Sequence, residues 1–326
     1  VSVWNLIRYN VAGGGESARY GTEGPLFYLL NTFNAFNLAL PLALGAPLAE
    51  LCAAYVTGRR PRTRLLLVLS SLYLWLGTMS VIPHKEERFM YVIYPQARRP
   101  SRRMRACRGA DTGRAQVCVG AALALDAVCE AASCRAVVRR APRLRHAASA
   151  AVAVAVTGIA VLSAFRTAAV VGNYSAPMRV FAQLPAADGA DATTLVCVGA
   201  EWHRFPSSFY LPGRQYRLGF VKTSFSGLLP LPFNASAGGT AHAPAALNDE
   251  NREVAGQYVR RPGAECAYWV GLVAEAPPAG AQWSTVAEAP FLDAARSPAL
   301  WRAFHVPLLS ARRNTYTKLQ LLKARR

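Results

Sequence analysis

Leu65 to Ile82 is a run of 18 residues without a charged side chain, and it ends abruptly in Pro83-His84-Lys85-Glu86-Glu87-Arg88-Phe89. A helix needs about 20 largely apolar residues to cross the hydrocarbon core of a bilayer. The cluster therefore puts five adjacent ionisable groups, His84 to Arg88, where such a helix meets water. Two readings follow. The charges form a solvated helix end in which neighbours compensate one another. Alternatively they form a rim of cations and carboxylates aimed at an anionic lipid phosphate at the membrane face.

Other apolar runs repeat the pattern. Residues 25–56 are expected to hold a tilted span with flanking turns, and Asn31, Asn34 and Asn37 near its start are expected to make interfacial or inter-helix hydrogen bonds. Thr57 to Arg64 carries four arginines and Arg135 to Arg145 carries five. Positive loops beside spans face the cytoplasm. That rule puts Tyr20-Gly21-Thr22-Glu23 and the His84–Arg88 cluster together on the opposite, lumenal face. It also lets a last span, 147–171, deliver the rest of the chain to the lumen.

One segment breaks the pattern. Phe89 to Pro95 begins a third apolar stretch that resumes only at Val117 to Ala132, and Gln96 to Gln116 between them holds seven arginines. Each would cost about 2.5–3.5 kcal/mol or more at the centre of a bilayer. Joining 89–95 to 117–132 restores a span, so 96–116 is expected to be an insertion, such as translated intron; a genuine extramembrane loop is the alternative.

The formal charge of +19 raises the possibility of a nucleic-acid partner. The arginines sit in short clusters between apolar runs and no nucleic-acid module accompanies them, so none is expected. The seven cysteines lack Cys-x-x-Cys spacing, which gives no zinc or redox motif. No metal site is expected.

Two domains follow: 1–172 within the membrane and 173–326 in water. Strands are predicted at Thr194–Val198, Tyr216–Val221 and Ala267–Val273, runs of Val, Leu and aromatic residues between Pro- and Gly-rich connections. A mixed α/β domain packed on the lumenal face is the reading. Asn173-Tyr174-Ser175 and Asn234-Ala235-Ser236 are acceptor sequons on that side. Cys197 and Cys266 are either a disulfide or two buried thiols, because sequence does not supply the separation a bridge requires.

The residues also carry a resemblance. Pro83 to Phe89 with Tyr94-Pro95 resembles the signature of glycosyltransferase family 22, the endoplasmic-reticulum mannosyltransferases that use dolichyl-phosphate-mannose. Arg8-Tyr9-Asn10, Gly13 to Ser17, Tyr20 to Glu23, and Cys197 to Ser208 narrow it to alpha-1,2-mannosyltransferases, in plant- and algal-like form. The resemblance implies a polytopic α-helical membrane protein of GT-C type with a C-terminal lumenal mixed α/β domain. It implies an inverting hexosyltransferase without metal or other cofactor. The donor would be dolichyl-phosphate-mannose and the acceptor the dolichyl-pyrophosphate-linked oligosaccharide used for protein N-glycosylation.

Residue roles follow from the chemistry of phosphate release. Arg88 offers a bidentate fork and Lys85 a point charge to the leaving phosphate. His84 polarises that phosphate or is a plain interfacial histidine. Glu86 and Glu87 orient the cations, or one of them acts as base. Tyr20, Thr22 and Glu23 are candidates for the sugar pocket, with a simple turn at Gly21 as the alternative. Trp202, His203 and Arg204 are candidates for an acceptor groove. The family's acidic base belongs to a first lumenal loop upstream of Val1, so the chain is expected to be a piece of a longer enzyme and inactive alone. A glycosylphosphatidylinositol-anchor mannosyltransferase and a non-catalytic membrane scaffold are the competing readings, and a transporter is a weaker one.

Overall fold

The computed structural model describes residues 22–93, 116–186, 193–199, 207–230, 252–254 and 256–325. Tyr20, Trp202, His203, Arg204, Asn234 and nearly all of 96–116 lie outside the described residues. The chain divides into two compact units, Val1–Arg166 and Thr167–Arg326.

The first unit is helical. Helix α1 covers Phe27–Phe36, α2 Ala39–Thr57 and α3 Thr63–Val81; a 3-10 helix covers Glu87–Val92; α4 covers Gln116–Ser133, α5 Arg135–Arg140, and α6 Arg143–Tyr174 runs on past the unit's last residue. Among the described residues four helices, α2, α3, α4 and α6, are long and apolar enough to cross a membrane. Their outward faces are apolar as well: Leu67, Leu74 and Val154 are 70–72% exposed. Such a surface calls for lipid rather than water.

One expected span is redrawn. The run 25–56 is two helices, not one, because Asn37 takes φ +42° and breaks the ladder. Asparagine tolerates that left-handed backbone better than most residues. Its side chain repairs the break by accepting from Leu38 N at 2.7 Å, and it donates to Ser163 Oγ on α6 at 3.0 Å. The inter-helix role expected of it holds. Glu87–Val92 forms a short 3-10 helix, and the next described helix, α4, covers Gln116–Ser133. Eighteen residues of α4 reach about 27 Å, a near-complete crossing without help.

Small residues draw α2 and α4 together. Ala43, Ala46 and Ala53 on one helix, and Gly120, Ala121, Ala124 and Ala127 on the other, are buried. A Cβ added at Gly120 would lie 2.8 Å from Ala43 Cβ, so only glycine permits this approach. Close backbone contact through small residues is how helices associate where no hydrophobic effect separates helix from lipid.

Pro47 lies inside α2 and cannot donate to the Ala43 carbonyl one turn back. Tyr73 Oη on α3 donates to that same oxygen at 2.6 Å. A neighbouring helix thus satisfies the group the proline frees, as apolar surroundings require.

At the other end of α2, Gly58 closes the helix in a left-handed conformation (φ +71°) that a glycine adopts without strain. The chain then folds Arg59 back onto Glu50. Glu50 is fully buried and accepts from Arg59 Nη1 and Nη2 at 2.6 and 2.8 Å, and from Arg62 N at 2.8 Å. Arg59 also reaches Glu130 on α4, at 2.6 and 2.8 Å, while Arg62 bonds Asp126 and Glu130, each at 2.5 Å. The carboxylates, Glu50 first, push the Arg59 pKa further up, so its charge is permanent.

The second unit is a five-stranded mixed sheet in the order β2-β1-β3-β5-β4: β1 Thr194–Val198, β2 Tyr216–Phe220, β3 Tyr268–Leu272, β4 Gln282–Leu292 and β5 Tyr316–Arg325. β1 runs parallel to β2 and β3, and β5 is antiparallel to β3 and β4. Alternate residues serve opposite faces. Val196, Val198, Tyr268, Val270, Leu319 and Leu321 pack with Ala176, Val180 and Phe181 of α7 (Ala176–Phe181). Cys197, Trp269 and Leu322 form the core of the other face with Cys266.

The three predicted strands are present. β4 and β5 were not predicted, because β4 carries Glu288 and Pro290 and β5 alternates Lys, Gln and Arg with leucine. Proline is tolerated there because β4 is an edge strand.

Candidate functional site

Helix α3 ends at Val81, and the chain turns extended through Ile82 (ψ 132°) and again at Glu86 (ψ 143°). Four anchors hold the charged cluster between α3 and the 3-10 helix. Glu23 N donates to Pro83 O at 3.1 Å. Glu86 N donates to Tyr28 Oη on α1 at 3.1 Å. Trp75 Nε1 on α3 donates to Phe89 O at 2.7 Å. Met90 and Ile93 plug the shared core beside Tyr28, Leu72 and Val117.

The side chains divide the work. Glu86 is the hub: His84 Nε2 lies 3.1 Å from its Oε1, and Arg88 Nη2 donates to the same oxygen at 2.9 Å while Arg88 Nε pairs with Oε2. The Arg88 side chain is 68% exposed and sits 5.9 Å from the Phe89 ring, so its fork is oriented yet open to solvent. His84 is buried against that ring, edge to face at 6.1 Å. Glu86 thus holds a cation and an imidazole together.

Lys85 departs from the phosphate-grip expectation. It is 7% exposed, and its ammonium donates to Glu23 O at 2.9 Å and Ile82 O at 2.5 Å. A point charge spent on main-chain carbonyls ties two loops together instead of reaching outward. Glu87 is exposed at the start of the 3-10 helix and makes no ion pair among the described residues, so the orienting role expected of it is not what the geometry gives.

The structure does bring two sequence motifs together. Glu23 meets Pro83 and Lys85 through its main chain, and Thr22 and Glu23 keep their side chains exposed beside the cluster. Sequence reasoning missed Tyr28 and Trp75, which read as ordinary apolar helix residues. A polar tip on a buried aromatic body is the signal that was available.

In the second unit Cys197 and Cys266 form a disulfide with Cα atoms 5.7 Å apart. The free cysteines among the described residues, Cys52, Cys118, Cys129 and Cys134, all lie in the first unit. Asn173 is corrected. It is 1% exposed, its amide donates to Arg302 O at 3.3 Å, and its Oδ1 accepts from Tyr316 Oη at 2.9 Å. A glycan on that nitrogen has no room in the fold.

The same unit holds a cleft of about 490 Å³ at the carboxyl ends of the parallel strands, lined by Gly199, Lys222, Ser224, Trp269 and Glu275 among others. Ligands of open α/β sheets bind at such ends. Glu253, by hydrogen bonding to the Lys222 ammonium, raises its pKa and compensates its charge.

A helical membrane unit with four candidate spans and an ordered charged rim, joined to a mixed-sheet unit, defines the class of protein. The profile of the Alg9-like mannosyltransferase family matches residues 1–101 and 115–212, and the chain belongs to that family. It is 35% identical to alpha-1,2-mannosyltransferase ALG9 of Arabidopsis thaliana over 99% of its own length and 53% of the relative's. Human ALG9 is 33% identical over 99% of this chain and 52% of the relative, and ALG9 of Saccharomyces cerevisiae 30% over 93% and 50%. The chain spans about half the length of the curated relatives it matches. No solved structure matches it.

Proposed function

We propose that this chain is part of an alpha-1,2-mannosyltransferase of the endoplasmic reticulum. Mannose would pass from dolichyl-phosphate-mannose to the dolichyl-pyrophosphate-linked oligosaccharide for protein N-glycosylation, with no metal or other cofactor. The observation that carries this reading is the named activity of relatives 30–35% identical over at least 93% of the chain. That name favours it over a glycosylphosphatidylinositol-anchor enzyme and a scaffold. Arg88, exposed and held by Glu86, is suited to grip the leaving phosphate, and His84 to stand beside it as hydrogen-bond partner. Lys85 acts by pinning the Thr22–Glu23 segment. Tyr20, Thr22 and Glu23 are assigned to the sugar pocket, and Trp202, His203 and Arg204, which follow β1 in sequence, to the acceptor.

The oxidised Cys197–Cys266 pair supports a lumenal second unit, because disulfides persist in oxidising compartments. We also assign 96–116 to an insertion. The family match is interrupted at 102–114, inside that segment, and Ile93 and Val117 on either side of it share one core cluster.

The test is a lipid-linked oligosaccharide profile in cells lacking their own alpha-1,2-mannosyltransferase. They would receive a chimera in which a relative's first lumenal loop precedes this chain, with 96–116 present or removed. Longer glycans that vanish with Arg88→Ala are expected. Truncated glycans from a membrane-inserted chimera would sink the catalytic reading.

A further inference from the structure

The arginines at one end of the helical unit are of two kinds, and only the tertiary structure separates them. Arg59 and Arg62 are consumed by Glu50, Asp126 and Glu130. Their neighbours Arg60 and Arg64 are exposed and make no ion pair among the described residues. The same holds for Arg135, Arg139, Arg140, Arg143 and Arg145.

These two groups lie on one surface. Arg59 and Arg62 reach α4 at Asp126 and Glu130, and Cys134 Sγ lies 3.6 Å from Val56 O at the end of α2. The loop before α3 and the segment from Arg135 to the start of α6 therefore meet at the same end of the bundle. The far end is set by Asn37 on the α1–α2 break, bonded to Ser163 well along α6. α2, α3, α4 and α6 all start or finish at the arginine surface.

We propose that this surface is a binding site for anionic phospholipid headgroups of the adjoining leaflet. Three carboxylates lie close by, and all are taken up by Arg59 and Arg62, which leaves seven guanidinia without acidic compensation in the described structure. Clusters of four to eight Lys or Arg immediately beside transmembrane helices attract anionic lipids, roughly in proportion to their number. Guanidinium forks bond phosphate oxygens two at a time, which adds geometry to charge. The inference rests on these helices crossing the membrane and is independent of which sugar is transferred.

The full chain would be placed in nanodiscs holding equal phosphatidylcholine and phosphatidylinositol, and the lipids retained would be read by native mass spectrometry. Preferential retention of phosphatidylinositol is expected, weakening as salt rises. Replacing Arg139, Arg140, Arg143 and Arg145 by Gln should cut that preference severalfold, and Arg312→Gln with Arg313→Gln should leave it alone. Equal retention of the two lipids by the unaltered chain would overturn the proposal, as would a quadruple variant that behaves like it. Loss of the bound lipid to millimolar inorganic phosphate would make this a phosphate site and not a lipid surface. Because no sugar transfer is read, failure here and failure of the mannosyltransferase reading are separate results.

Discussion

The ammonium of Lys85 lies 2.9 Å from the main-chain oxygen of Glu23, 62 residues away in sequence. Together with the Glu23 N to Pro83 O bond it joins two motifs that share no local structure. A charge-assisted bond of this kind contributes about 1.5–3 kcal/mol. Lys85→Met should lower the melting temperature in detergent and speed hydrogen exchange at the Glu23 amide. A Lys85→Met chain with unchanged exchange there would return Lys85 to the role of an outward-facing charge.

Tyr73 and Pro47 should be energetically coupled through Ala43. Tyr73→Phe leaves a buried carbonyl without a partner, at about 1–3 kcal/mol. In a Pro47→Ala background the helix supplies its own N–H, and the same substitution should cost much less. A double-mutant cycle by chemical denaturation in micelles measures the difference. Strictly additive effects would remove the coupling.

Glu50 is a fully buried carboxylate in the helical unit. Glu50→Ala leaves Arg59 and the Arg62 amide without their buried partner. Breaking a buried ion pair from one side costs about 3–5 kcal/mol. Glu130 still pairs with Arg59, so a loss nearer about 3 kcal/mol is expected, seen as earlier thermal aggregation. Asp126→Asn, at a side chain 62% exposed, should cost under about 1 kcal/mol.

The disulfide closes a sequence separation of 69 residues. Loop-closure entropy puts its contribution near about 4 kcal/mol. Cys197→Ser should leave the second unit sensitive to protease, and thiol labelling of the unaltered protein should find neither Cys197 nor Cys266.

The two sequons should differ. Asn173→Gln is expected to leave the glycosylation pattern unchanged while destabilising the second unit, since it disturbs the bonds to Arg302 and Tyr316. Asn234→Gln should remove one endoglycosidase-sensitive step on a gel. A glycan found on Asn173 would contradict its burial.

Much of this architecture is written in composition and period. Spans at 65–82 and 147–171 correspond to helices Thr63–Val81 and Arg143–Tyr174, because length and apolar content are local properties that the bilayer reads directly. β1 and β3 were legible because buried inner strands are nearly continuous apolar runs, and β2 because Tyr216, Leu218 and Phe220 alternate along it. β4 and β5 were not, since half their residues face water and only pairing gives them a reason to be strands. In the site, sequence alone marked His84 to Arg88 as charge at a membrane end. It could not assign those charges their jobs. The tertiary structure decided that Lys85 turns inward, that Glu86 orders His84 and Arg88, and that two arginines of nine at the opposite end are neutralised while seven are not. The physical reason is the same in each case: whether a charge faces phosphate or pairs internally depends on which distant carboxylates and carbonyls the packed helices bring within about 3 Å, and no local pattern encodes that distance.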